Sequence, residues 1–535
     1  MNGFSKTEYL DLNEMEASMK ELWKRLERYI PFVLWGGILI VFGFTRMWKL
    51  IEIPLGLHYD EASMAYSAWS LSRYGVDRYL DSWPVYMKNF GGGQSVLYAY
   101  LMAGLFKLFG FHVVLIRIPS VLFSLLALGS TVGIAKIIFP EHKYAPYIAG
   151  AFMAIGPYYI MAGRLGLDCN LMLGGAALFL YCFLKAIGTG RKIWYVAAGI
   201  SGGIMLYTYI LSYLMLPVFL LLALFYTILT RKFSFGRWVI MAVPMGILAF
   251  PLILEQFVNI FGLESFKLGF FTITRMDSYR VSEFGRFQIA SLKVALQDIF
   301  VGDIWLHNSI PGIPNLYWLS IPLAVAGLIH VFWKAAVSLR RRDLYMGAFV
   351  FCWFISVLFV VCHIYPCVNQ VNSIFFSYTL LSIEGIFLFV RLKKFARRIV
   401  YIVISVIFVT CFIRFSGYYY GGGYITDNYP MAYFDILTTE ALDFIEEHPQ
   451  YGARGVQMAE PPVYLGLSTL WSPYELCLFD QDLYVMDYYH CSHLGEIEEG
   501  YYYIVRDTFH EYANELRSKG YVEIPYNGYS LFYLE

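Results

Sequence analysis

About eleven apolar runs, each close to the length of a bilayer span, dominate this sequence and leave few folds open to it. They lie near 30–47, 117–139, 144–164, 170–187, 194–213, 214–230, 237–255, 316–333, 345–365, 372–391 and 399–415. A spanning helix needs roughly 20 mainly apolar residues. In lipid every backbone donor and acceptor must be paired within the protein, so such runs predict an all-α polytopic membrane protein. Composition agrees. The chain is 58% hydrophobic and 15% charged, against roughly 25% charged in soluble domains.

Basic loops set the threading. Lys24, Arg25 and Arg28 precede the first run, and Lys136/Lys143, Arg191-Lys192, Arg231-Lys232, Arg340-Arg341-Arg342 and Lys393-Lys394/Arg397-Arg398 follow on the same side when the runs alternate. Cytoplasmic loops collect Lys and Arg, so that side is expected inside. A full span at 95–111 would reverse every later loop, and it reads instead as a surface or re-entrant helix, as does the stretch near 61–74. The expected plan is a cytoplasmic amphipathic segment (1–29), a membrane module (30–416) with external loops near 51–116 and 256–315, and an external domain (417–535). The polar, mixed-charge N-terminus does not read as a cleavable signal peptide. Only Pro217 marks the boundary between 194–213 and 214–230. In the tail, charge returns and β-type runs (501–505, 529–533) alternate with helical ones (439–447, 508–518), the pattern of a small α/β domain.

Lys and Arg equal Asp and Glu at 40 each, so no basic field argues for nucleic acid. The eight cysteines form no CxxC pair, which speaks against structural zinc. Cys477 and Cys491 lie in the tail, where one bridge is open to them if that side is oxidising.

Charges near the external ends of the spans are where chemistry is expected. Asp60 and Glu61 follow the first span, and adjacent carboxylates at a membrane boundary are costly unless solvated, paired or metal-bound. The simplest alternative makes Asp60 the N-cap of a helix starting at Glu61. Lys88 stands beside Gly91-Gly-Gly, Arg117 opens the second span, and Arg164 and Asp168 close the third at the spacing of an i,i+4 pair. Cations and carboxylates at one depth suit holding a lipid phosphate while a carboxylate acts as base. The loop after 256 adds Arg275, Asp277, Arg280, Glu283 and Asp303 as a substrate loop, and Asn369 and Asn372 follow the ninth span, read as turn residues or donor contacts. Glu384 and Lys107 stand apart from this cluster.

The succession Asp60-Glu61, Tyr74-Gly-Val-Asp77, Leu97-Tyr-Ala-Tyr-Leu101, Arg117-Ile-Pro-Ser120 and Gly156-Pro-Tyr-Tyr-Ile-Met-Ala-Gly-Arg164 resembles the GT-C glycosyltransferases, nearest the protein O-mannosyltransferase and lipid A aminoarabinose transferase group. The resemblance covers roughly 30–255, loosens over 256–415 and is absent from the tail. It implies inverting transfer of a sugar from a polyprenyl-phosphate carrier to an external protein, lipid or glycan acceptor. It also implies Asp60 as base or metal-linked residue, Lys88, Arg117, Arg164 and Asp168 as donor contacts, no certain cofactor, and a divalent cation as an open option. Where the aminoarabinose branch reads Lys-Pro-Pro, this chain reads Lys88-Asn-Phe. The alternative is a transporter or flippase of lipid-linked glycans. That function calls for ionisable groups near the bilayer midplane, whereas these crowd at one face.

Overall fold

The computed structural model describes residues 27–54, 56–89, 92–276, 284–302, 308–423, 434–435, 439–458, 491–507, 509–526 and 528–535. Among them, eight helices are long and apolar enough to cross a membrane by length and composition. They are α1 (Ile30–Met47), α4 (Val113–Ile138), α7 (Asp168–Thr189), α9 (Ser212–Leu229), α10 (Phe235–Phe261), α12 (Ser320–Arg341), α14 (Ile374–Leu388, extended by a 3-10 turn to Arg391) and α15 (Lys394–Tyr420). The other three expected spans are shorter as helices: α5 (Ala145–Ile155), α8 (Lys192–Leu206) and α13 (Gly347–Val361). The run at 144–164 breaks at Gly156, whose extended backbone precedes Pro157, the first residue of α6 (Pro157–Ala162). A residue before proline is pushed out of the helical region, and that breaks the rod.

One boundary moves. Pro217 lies inside α9, and the chain turns at 207–211 instead. α12 and α14 touch backbone to backbone. A Cβ on Gly327 would lie 1.9 Å from the Leu381 carbonyl oxygen, and one on Gly385 would lie 2.0 Å from that of Leu323. Small residues permit such approach, which lipid-facing helices use in place of a hydrophobic driving force.

Between α1 and α4 the chain builds a compact layer of short elements. It comprises β1 (Leu57–His58), α2 (Tyr59–Tyr74), the hairpin β2 (Tyr86–Asn89) and β3 (Gly92–Ser95), and α3 (Leu97–Phe109). α3 has 13 residues, too few to span, and packs on α2 and α4. α11 (Ala290–Val301) lies in the second long loop, after the short hairpin β4 (Phe266–Leu268) and β5 (Phe271–Ile273).

The tail contains β6 (Phe434–Asp435), α16 (Thr439–Glu447), β7 (Gly455–Met458), β8 (Cys491–His493), β9 (Tyr501–Arg506), α17 (His510–Ser518), β10 (Val522–Pro525) and β11 (Tyr529–Tyr533). Five strands form one sheet in the order β10-β11-β9-β7-β8, parallel where β7 meets β8 and β9, antiparallel elsewhere. β6 leaves that sheet and pairs with β1, setting His58 opposite Phe434. The tail is thereby stitched to the start of α2. Residues 1–26 of the N-terminal segment and Cys477 lie outside the described residues.

Candidate functional site

Two buried arginines hold the turn that leads into α2, and a third ties the end of α1 to the end of α5. The last carbonyls of a helix have no partner within it, and in lipid they cannot be left to water. Arg46, at the end of α1, donates to the carbonyls of Met153 and Ala154 at the end of α5. Arg164 returns the contact, donating to the carbonyls of Thr45, Trp48, Lys49 and Ile53 at 2.8–3.1 Å. Arg117 donates to the carbonyls of Leu50, Pro54 and Gly56, and makes a two-point contact with Glu61, Nε to Oε1 and Nη2 to Oε2, both 3.0 Å. Arg46, Arg117, Arg164 and Glu61 are all 0% exposed.

Those contacts bear on three expectations. The Glu61 carboxylate also accepts the backbone N–H groups of His58 and Gly166, so it is engaged in holding the turn. Arg117 and Arg164 direct their donors to groups inside the protein. Arg164 does not pair with Asp168.

Asp60 is left facing outward from this frame. α2 begins at Tyr59, not Glu61, and its N-cap is His58, whose Nδ1 accepts the Asp60 N–H while Glu61 accepts the His58 N–H. Because Nδ1 serves as acceptor there, its 3.7 Å separation from Asp60 Oδ2 is not an ion pair. The Asp60 carboxylate is therefore released from capping, and its side chain is 28% exposed. Asn89 Nδ2 donates to Asp60 Oδ1 at 3.1 Å. The other end of that amide is pinned: Asn89 Oδ1 accepts from Arg78 Nη2 at 3.0 Å and from the Ser63 hydroxyl, which in turn accepts from Arg78 Nη1. An amide so held can present only its NH2 to Asp60.

Asp60 and Asn89 open on a cavity of about 170 Å³, shared with Gln94, Asp168, Tyr209 and Asn369. Asp168 is the first residue of α7 and accepts the N–H groups of Cys169 and Ser95 at 2.7 and 3.1 Å. A helix start favours that negative charge. Asn308 braces the far wall, donating to Asn170 Oδ1 at 2.6 Å and to Asn369 Oδ1 at 2.7 Å. Asn372 donates to the Cys169 carbonyl. The volume is below the roughly 300–1,000 Å³ of a drug-sized pocket.

Lys88 stands next to this cavity but not in it. Neighbours on a strand point to opposite faces, so with Asn89 toward Asp60, Lys88 turns to Asp81 (3.5 Å) and the Tyr79 ring. Asp77, in the same loop, is buried, and burial followed by the Asp81 carboxylate pushes its carboxyl up to about 7. Arg275 is exposed. Arg280, Glu283, Asp277 and Asp303 lie outside the described residues. Asn89, Gln94, Arg78 and Asn308 were not singled out from sequence. Uncharged amides give no sign in a charge pattern, and Asn89 was visible only as the neighbour of Lys88.

Residues 94–254 match the family described as dolichyl-phosphate-mannose-protein mannosyltransferase. The matched stretch contains Arg117, Arg164 and Asp168 and begins after Asp60. No curated protein matches the chain. Among solved structures, ArnT from Cupriavidus metallidurans in the apo state is similar over 96% of this chain and 98% of its own, at 12% identity and TM-score 0.50. The archaeal oligosaccharyltransferase AglB from Archaeoglobus fulgidus, solved with an inhibitory peptide and a dolichol-phosphate, is similar over 90% of this chain and 70% of its own, at 11% identity and TM-score 0.51. The chain is a multi-pass membrane protein of GT-C-like fold whose residues 94–254 match the protein-mannosyltransferase family model.

Proposed function

We propose that the protein transfers a sugar from a polyprenyl-phosphate carrier to a hydroxyl-bearing acceptor, with inversion at the anomeric carbon. The observation that carries this reading is the Asp60 carboxylate, freed from capping by His58, aimed by Asn89, and sharing one polar cavity with Asp168 at a membrane-level end of the bundle. The family match in 94–254 and the fold shared with AglB, solved with a dolichol-phosphate, support the donor class.

In the proposed step Asp60 takes the acceptor proton as the new carbon–oxygen bond forms. The bond from the anomeric carbon to the phosphate oxygen breaks on the opposite face, and the electron pair leaves with the phosphate. A cation near that phosphate stabilises the transition state more than the ground state. The exposed Arg275 is assigned that part, since Arg117 and Arg164 have their donors engaged and Lys88 turns away to Asp81. Among the described residues no cluster of three or more His, Cys, Asp or Glu converges. Asp60 and Asp168 with neighbouring amides nonetheless suit a hydrated Mg²⁺, which takes one or two carboxylates and keeps several waters. Such an ion would supply charge neutralisation beside the phosphate. The deciding experiment offers purified protein a panel of polyprenyl-phosphate sugars, with and without chelator. Turnover of at least one donor supports the reading, and none across hexosyl and pentosyl donors defeats it.

The unit from 417 to 535 is proposed to lie outside the cell and to select the acceptor. Its support is the alternation of basic loops and the pairing of β6 with β1 beside Asp60. A Ser518→Cys variant should label with an impermeant thiol reagent in intact cells. Labelling only after lysis would place the tail inside.

A further inference from the structure

Glu384 belongs to none of this. It lies in α14, 4% exposed, where an unpaired charge would be costly. Its Oε1 accepts from His330 Nδ1 at 2.6 Å and from Lys334 Nζ at 2.8 Å. These three groups line a cavity of about 590 Å³ together with Glu141, His142 and Arg391. The cavity opens where α4 and α14 end, whereas the Asp60 cavity lies where α14 begins. At 1.5 Å per residue, the 15 residues of α14 separate the two by about 22 Å. The cavities are at opposite ends of the bundle.

The second cavity is rich in donors. Glu384 is already matched by two donors, and Glu141 sits exposed at the rim. Among the described residues, the Arg391 and His142 side chains have no hydrogen-bond or ion-pair partner. The His142 ring stacks on Phe387, with centroids 3.9 Å apart, which leaves its nitrogens at the ring edge. Lys334 is 38% exposed and lies over the Tyr345 ring. A ligand that fits must therefore bring acceptors. The lining also includes the apolar side chains of Ile138, Phe139, Phe387 and Leu388, so a ligand that carries hydrocarbon beside its acceptors suits it. Arg391 also opens the run Arg391, Lys393, Lys394, Arg397, Arg398, and four to eight cations beside a spanning helix attract anionic lipid.

We propose that this cavity binds the phosphate headgroup of an anionic phospholipid from the leaflet on the basic-loop side, with Arg391, His142 and Lys334 contacting the phosphate oxygens. Arg391 supplies a planar fork suited to two of those oxygens, and the apolar side chains receive the first carbons of the acyl chains. The site is independent of the sugar-transfer reading.

The test is native mass spectrometry of the delipidated full chain in neutral detergent, incubated with phosphatidylglycerol, phosphatidylcholine or inorganic phosphate. One phosphatidylglycerol per chain should be retained at least tenfold more strongly than phosphatidylcholine. Arg391→Gln and His142→Ala, scored separately, should each weaken retention about tenfold with an unchanged thermal midpoint. Lys394→Gln, outside the cavity, should not. Inorganic phosphate should displace the lipid only in large excess. Equal retention of the two lipids overturns the proposal. So does an equal loss in Lys394→Gln, which would mean diffuse surface attraction, and so does displacement by equimolar phosphate, which would mean a free-anion site.

Discussion

Replacing Arg117 by methionine should unfold the protein sooner without selectively harming donor binding. The structure supplies the magnitude. Both partners of the Arg117–Glu61 pair are fully buried, and Arg117 also serves the carbonyls of Leu50, Pro54 and Gly56. Removing one member of a buried ion pair leaves the other charge uncompensated, at about 3–5 kcal/mol. That is a large share of a typical total of roughly 5–15 kcal/mol. Methionine keeps most of the apolar stem, so lost packing contributes little. The assay is thermal and denaturant unfolding of the purified protein, with donor KM measured on the folded fraction. Adding Glu61→Gln to Arg117→Met should recover part of the loss, because it removes the stranded charge, and such non-additivity is the mark of a direct pair. A stable Arg117→Met protein with a raised donor KM and an unchanged KM for acceptor would refute this reasoning and return Arg117 to the phosphate.

Two further outcomes follow from the loop that carries Asn89. Asn89→Ala and Arg78→Met should each lower kcat by roughly 10-fold or more with little change in donor KM, since both act by orienting Asp60, and a pure KM effect would contradict that role; Arg78→Lys, which keeps the charge without the fork, should rescue only partly. Asp77 holds a proton in the native state up to about pH 7, whereas the unfolded chain releases it near the ordinary carboxylate value of 3.8. Stability should therefore fall as pH rises from about 4 to about 7. Asp77→Asn should flatten that fall in thermal midpoints, and an unchanged slope would count against a buried neutral Asp77.

Helix positions, and the placing of Asp60 and Asp168 at one depth, were legible in the sequence because each rests on a local signal. Apolar length and basic loops mark the spans, and α1 has the expected bounds of 30–47. Asp60 and Asp168 stood out as carboxylates at one depth, and they do share a cavity. The break at 207–211 was misjudged because Pro217 looks like a stop, yet it is accommodated inside α9. The partners of Arg117 and Arg164 were not legible for a different reason. Sequence reveals how deep an arginine lies but not which carbonyls need it, and the ends of α1 and its following turn need both. The amides were invisible on the same grounds. Asn89 matters because Arg78, 11 residues away, turns its NH2 toward Asp60.

The most direct test of the account is Asp60→Asn. The substitution keeps the shape and the acceptor oxygen for Asn89 but cannot take up a proton, while Glu61, Arg117 and the rest of the frame are untouched. With a donor identified from the panel, single-turnover transfer should drop by roughly 10²–10⁴-fold, at a thermal midpoint close to that of the unaltered protein. Transfer at the full rate by a folded Asp60→Asn protein would remove Asp60 from the reaction and contradict the central claim.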